Sequence, residues 1–237
     1  ASIKLFGNSV FAATLVMAGV GTGCCWLTWL LGRKLFDEAT ALWALFFVSV
    51  SPLQIGSNVQ ILSETWFSFG LLVCLLALAP LLEQTPTASC GRIAFTNGIL
   101  TGLTVLIRPG WLLWAGLSSL LVMLFGQMSF AKRIPCAALI CIGCFIALLP
   151  WAWRNNEATG HWVFTSLWSG PSLYDGLHDG ATGVSDMKFV DQEGVFSTMS
   201  EFDANAYYKQ QAIDFVISHP GRTMELGFIK AGRYLSP

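Results

Sequence analysis

From residue 8 to residue 32 the chain carries no charged side chain, and such runs recur at 39–63, 65–82, 93–107, 109–131 and 134–153. A helix needs about 20 largely apolar residues to cross the hydrocarbon core of a bilayer. Lipid offers backbone N–H and C=O groups no partner, so a segment of this kind must satisfy them internally, as helix. The pattern predicts six transmembrane helices, the short runs at 65–82 and 93–107 borrowing flanking residues to reach full length. The run at 39–63 starts apolar and then softens at "SPLQIGSNVQILS".

Charge divides the chain. Only 11% of its 237 residues are charged, against about 25% in a soluble domain. Residues 1–153 hold 7 basic and 4 acidic side chains, whereas 154–237 hold 6 basic and 10 acidic ones. The expected fold is an all-α polytopic membrane bundle over 1–153. A small mixed α/β or irregular extracytoplasmic segment over 154–237 would follow, leading toward a further membrane helix. No basic field points to nucleic acid.

Within the polar segment, weak alternation at 162–168 predicts a strand. The Gly, Pro, Ser and Asp content of 169–183 predicts a loop. Residues 203–218 have helical spacing with Asp203 as N-cap, "HPG" at 219–221 is a stop, and a second helix follows. All seven cysteines lie at or before Cys144, so the polar segment has no disulfide framework. Cys141-x-x-Cys144 sits in mid-span without a second ligand pair and reads as small apolar packing. The chain opens on "ASIKLFGNS" without Met or a signal-peptide pattern and stops within a helical pattern. A longer parent protein is therefore expected, and the fragment alone is expected to be inactive.

Basic residues orient the bundle. Arg33, Lys34, Arg92, Lys132 and Arg133 fall in alternate loops, which the positive-inside rule places in the cytoplasm. The turn before Glu64, the turn at Arg108–Gly110 and everything beyond Trp153 then face outward. Trp66, Trp111, Trp114, Trp151 and Trp153 fall near outward helix ends, where an aromatic belt is the expected role. Pro150 is expected to break or kink the last helix near its exit.

Glu64, Arg108 and Arg154 each stand at an outward helix end. A charge beside a span is costly unless it is paired, exposed or functional. Together they would suit an anionic headgroup, since guanidinium matches phosphate oxygens with a planar fork. Singly, Glu64 suits a helix start and the arginines suit snorkelling. Glu64 is also a candidate ligand for a divalent cation, Mg or Mn, the one cofactor considered.

The motifs follow in order: Arg33-Lys34-Leu35-Phe36, Ser51-Pro52, Ser63-Glu64-Thr65, Ile107-Arg108-Pro109, Pro150-Trp151-x-x-Arg154-Asn155, Gly170-x-x-Leu173-x-x-Gly176 and Ala181-Thr182-Gly183. This order resembles bacterial membrane glycosyltransferases of the dolichyl-phosphate-mannose–protein mannosyltransferase-like class (glycosyltransferase family 39, GT-C fold), over residues 5–183. The resemblance implies transfer of a sugar from a polyprenyl-phosphate carrier to a hydroxyl of a protein, lipid or glycan, with inversion, at the periplasmic face of a bacterial inner membrane. It implies a general base in an outer loop upstream of this chain, and it matches Glu64 to an acidic residue of the second outer loop near the carrier phosphate. Arg108 and Arg154 match family positions, with phosphate contact as the expected role. Tyr174, Asp175 and His178 are candidate substrate-binding residues of a loop over the acceptor, with a solvated turn as the plainer alternative. A transporter or flippase of lipid-linked sugars and another GT-C activity are the competing expectations.

Overall fold

The computed structural model describes residues 10–83 and 89–235. Residues 1–9, residues 84–88 of the loop at 83–92, and residues 236–237 lie outside the described residues. The chain divides into two compact units, Ala1–Trp153 and Arg154–Pro237.

The first unit consists of α1 (Val10–Leu35), α2 (Glu38–Ser49), α3 (Pro52–Val59), α4 (Ser63–Leu82), α5 (Cys90–Ile107), a 3-10 turn (Pro109–Leu112), α6 (Leu113–Phe125) and the greater part of α7 (Phe130–Thr159). Among the described residues, α1, α4, α5 and α7 are long and apolar enough to cross a membrane, and α2 with α3 makes a fifth span if the bent pair counts as one. The unit is an all-α membrane bundle.

The six expected spans therefore become four or five, for two local reasons. The run at 39–63 breaks at Ser51, whose backbone is extended, and resumes with Pro52 in the first turn of α3 at an angle of 48°. Proline disfavours a helical residue before it and has no N–H to continue the ladder, yet it suits a helix start. The run at 109–131 forms only α6 after its 3-10 turn and ends at Gly126, a shorter apolar helix. The expected break at Pro150 is not found: α7 continues through Pro135 and Pro150 to Thr159.

Helices α4 to α7 meet in a core of Leu78, Leu81, Ala94, Val122, Cys136 and Ile140. The closest approach is backbone to backbone. A Cβ on Gly102 would lie 2.7 Å from the Cys144 carbonyl oxygen, and one on Gly143 would lie 2.5 Å from that of Phe95. One on Gly98 would clash with the carbonyl of Ile140. Small residues let membrane helices touch, because apolar burial alone gives no advantage over lipid. Polar groups add bonds: the buried Asn97 donates from Nδ2 to the Cys74 carbonyl at 2.8 Å, joining α5 to α4. Large apolar side chains such as Phe47, Leu113 and Phe145 face outward, as lipid-facing positions should.

The second unit holds α8 (Ser169–Gly176), α9 (Lys188–Glu193), α10 (Val195–Thr198), α11 (Glu201–Ser218) and α12 (Pro220–Leu235). It has no strand among the described residues, so the mixed α/β expectation is corrected to helix and turns. Residues 162–168 are turns and bends, and the loop expected at 169–183 begins as α8. That helix forms because α11 receives it: the Gly170 N–H donates to Asn205 Oδ1 at 2.7 Å, and a Cβ on Gly170 would strike the Asn205 backbone. A glycine written off as loop punctuation is a packing contact. The N-cap of α11 is Ser200, not Asp203. Ser200 Oγ accepts from the Asp203 N–H at 3.2 Å and donates to Asp203 Oδ2 at 2.7 Å, with Asp203 in the first turn. The hydroxyl thus satisfies one open N–H of the first turn and is itself held by the Asp203 carboxylate. Helix α11 ends at His219, and α12 follows at once from Pro220.

The core of the second unit is aromatic. Tyr208 is fully buried among Tyr174, Phe189 and Phe196, with ring centroids 5.3, 5.2 and 6.0 Å away. Phe215, Leu226 and Ala181 form a second small core, and Arg222 closes it by donating to the Ala181 carbonyl at 3.1 Å.

Candidate functional site

Two ends of the first unit are told apart by their ion pairs. Lys34 Nζ lies 3.1 Å from Glu83 Oε1, tying the end of α1 to the end of α4, and Arg33 pairs with Glu38 at 2.6 Å. At the start of α4, about 30 Å away along a helix of this length, Glu64 Oε1 accepts from Arg108 Nη2 at 2.5 Å. Glu64 and Arg108 are 44 residues apart. They meet because α4 begins where α5 ends.

Beside this pair is a cleft of about 550 Å³. Its polar lining is Ser51, Gln54, Ser57, Gln60, Glu64 and Ser68. Most of these belong to the stretch where the membrane run softens, and the break at Ser51 turns that stretch into a short separate helix. Gln54 lines the cleft, and its Nε2 is buried without a protein partner. A buried donor left open in this way costs free energy unless a ligand or water completes it.

The floor of the cleft is held by an unusual turn. The Gln60 N–H donates to the Gly56 carbonyl and the Leu62 N–H to the Ser57 carbonyl at 3.1 Å. The latter is the six-to-one bond of a Schellman motif, which calls for a left-handed residue at the position of Ile61. Glycine is usual there. Here it is Ile61, at φ 55°. A β-branched residue in that region is a true outlier, and strain of this kind costs on the order of 1–3 kcal/mol and clusters at functional sites. The turn is further braced by Thr65 Oγ1, which donates to Asn58 Oδ1 at 2.7 Å. Asn58 in turn packs where a side chain at Gly21 would stand.

An aromatic shelf adjoins Arg108. Its guanidinium carbon lies 5.5 Å from the Phe67 ring centre, a cation–π distance. Phe67 meets Trp111 edge-on at 5.4 Å, and Trp111 stacks on Trp114 at 4.8 Å. These two tryptophans are stacked on each other with their indole nitrogens buried. What the sequence did not disclose is the contribution of Gln54, Ser57, Phe67 and Ile61. The legible trace was the serine, glutamine and asparagine content of 51–60.

The remaining candidates belong to the second unit. Arg154 has its Nη1 3.5 Å from Asn155 Oδ1, and Asn155 donates to the Val163 carbonyl at 2.8 Å. Tyr174 is part of the aromatic core and stacks on His178 at 5.1 Å. Burial and the negative charge of Glu193 push its phenol up. Asp175 Oδ1 accepts from the Asp186 N–H at 2.7 Å, and His178 Nδ1 accepts from the Gly180 N–H at 3.1 Å. The side-chain hydrogen bond from Lys188 holds the Asp186 carboxyl below its usual range.

The Glu64 carboxylate is paired with the Arg108 guanidinium, and no group of three His, Cys, Asp or Glu side chains gathers among the described residues. All seven cysteines are free thiols, Cys141 and Cys144 included. No family model, no curated protein and no solved structure matches this chain.

Proposed function

We propose that this chain is an integral-membrane glycosyltransferase. It would move a sugar from a polyprenyl-phosphate carrier to a hydroxyl of a protein, lipid or glycan at the extracytoplasmic face of a bacterial inner membrane. The observation that carries this reading is the Glu64–Arg108 pair bordering a polar cleft at the bundle end opposite Arg33 and Lys34. With the basic end in the cytoplasm, the cleft faces outward.

In the proposed reaction the bond between the anomeric carbon and the phosphate oxygen breaks, and its electron pair stays on the phosphate. The acceptor oxygen bonds that carbon from the opposite face and loses its proton to a base. The growing phosphate charge needs a fixed positive partner more than it needs a proton, and Arg108 is assigned that role. Glu64 holds Arg108 in place and accepts a hydroxyl hydrogen bond in the cleft. Amides and hydroxyls such as Gln54, Ser57 and Ser68 suit a polyol.

The test is sugar transfer from a lipid-linked donor in native membranes. Glu64→Gln is expected to lower transfer roughly tenfold or more, the scale of a lost charge-assisted bond; unchanged transfer removes Glu64 from the site. Arg108→Ala is expected to raise the donor KM, and an unaltered KM refutes phosphate contact.

A second reading has one observation in its favour. The cleft is built on a broken span, and transporters place binding sites at discontinuous helices. A carrier of lipid-linked sugars would move the donor across vesicles without forming any glycosylated product, which the same preparations measure.

A further inference from the structure

A separate cavity of about 350 Å³ lies within the second unit, between the end of α8 and the end of α12. Asp175, Gly176, Gly183, Ser185, Lys230 and Arg233 line it. This unit has six basic and ten acidic side chains, yet two of those bases and one acid meet at this cavity.

The ion pairs of this unit are Lys188 with Asp186 and Arg222 with Glu225, and among the described residues neither Lys230 nor Arg233 is in one. Lys230 is nonetheless held in place. It donates from Nζ to the Gly176 carbonyl at 3.2 Å, and Nζ packs where a Cβ on Gly176 would stand. Gly183, at φ 80°, brings its strand of chain so near α12 that a Cβ would lie 2.8 Å from Ile229 Cγ2. That close turn, open to glycine and strained for other residues, brings Ser185 to the wall. Asp175 spends Oδ1 on the Asp186 N–H, which leaves Oδ2 as an acceptor.

We propose that this cavity binds a phosphate ester carrying a neighbouring hydroxyl, such as a glycerol phosphate group, with the phosphate on Lys230 and Arg233 and the hydroxyl on Asp175. Two cations attract an oxyanion, and here they also offset the negative poles of the C-terminal ends of α8 and α12 that border the cavity. A bare oxyanion would meet repulsion from Asp175, whereas a ligand hydroxyl turns that carboxylate into a partner. Ser185 supplies one more donor. The site does not depend on the glycosyltransferase reading.

The experiment measures binding of sn-glycerol 1-phosphate and of inorganic phosphate to the full chain in detergent, by calorimetry. Glycerol phosphate is expected to bind more tightly than phosphate. Arg233→Ala and Lys230→Ala should each weaken both ligands about tenfold, with Lys209→Ala, an exposed position on α11, as the unaffected control. Asp175→Asn should erase the preference for glycerol phosphate by tightening the binding of bare phosphate, whose repulsion by the carboxylate it removes. Arg233→Ala guards against a folding effect of Lys230→Ala, since Arg233 is exposed and circular dichroism reports the helices. Competition by nanodiscs containing phosphatidylglycerol, but not by phosphatidylcholine alone, would assign the site to a lipid headgroup; absence of competition would assign it to a soluble ester. No binding of glycerol phosphate at millimolar concentration, or equal binding by the Arg233→Ala protein, overturns the proposal.

Discussion

The two units solve the same packing problem in opposite ways. In the bundle, the tightest contacts are glycines against carbonyls, and the largest side chains point outward. In the second unit, an aromatic side chain is fully buried instead: Tyr208 sits among the rings of Tyr174, Phe189 and Phe196, while Trp162 and Phe228 stay exposed. The difference follows from the solvent. Against lipid, a buried leucine gains nothing over an exposed one, so helices associate through close approach and hydrogen bonds. In water, removal of apolar area is the main source of stability.

Four substitutions probe that contrast. The largest effect is expected from Tyr208→Ala, which empties the aromatic centre and should destabilise the second unit by about 3–5 kcal/mol. Near-ultraviolet circular dichroism should lose the second unit's signal at a lower temperature while far-ultraviolet helicity of the bundle persists. Simultaneous loss of both would show that the units do not fold independently.

Gly98→Leu comes next. It drives a side chain into the Ile140 carbonyl, where backbone must move, and should cost about 1–3 kcal/mol in a detergent unfolding titration. A bundle that tolerates Gly98→Leu would refute packing by close backbone approach. Leu113→Ala, at an outward position 83% exposed, should leave the midpoint unchanged in the same titration.

The smallest effect concerns one oxygen. The Tyr208 hydroxyl is buried without a hydrogen bond of regular geometry, and burial together with the Glu193 carboxylate pushes its phenol up from the ordinary value of 10.0. Above that value the unfolded chain releases the proton and the folded unit keeps it, so stability should fall as pH rises past about 10. Tyr208→Phe keeps the ring, removes the uncompensated hydroxyl and should be neutral or stabilising by up to about 1 kcal/mol. Thermal melts from neutral to alkaline pH check both points, and an unchanged alkaline slope in Tyr208→Phe would assign that slope to other groups.

The candidate site was partly legible. Glu64 and Arg108 stand out as single charges ending long uncharged runs, a local pattern. Their 2.5 Å pairing across 44 residues is not local. The serines and glutamines at 51–60 registered only as a softening of a span, because hydropathy averages over a window and does not register that Pro52 starts a new helix. Ile61 is invisible in principle: nothing in its side chain announces a left-handed backbone, which the Schellman bonds from the Ile61 and Leu62 N–H groups impose.

The alternation of charge-free runs with basic loops was enough to say that the chain is helical, enters membranes, and carries its isolated charges at helix ends, since each follows from residue chemistry over one or two turns. Whether a glycine is a turn or a contact, whether 169–176 is loop or helix, and which charges face one cavity depend on partners distant in sequence. Gly170 packs on Asn205, and Lys230 settles against Gly176. Such pairings are set by the fit of whole helices, where a few ångströms of backbone approach outweigh local preference.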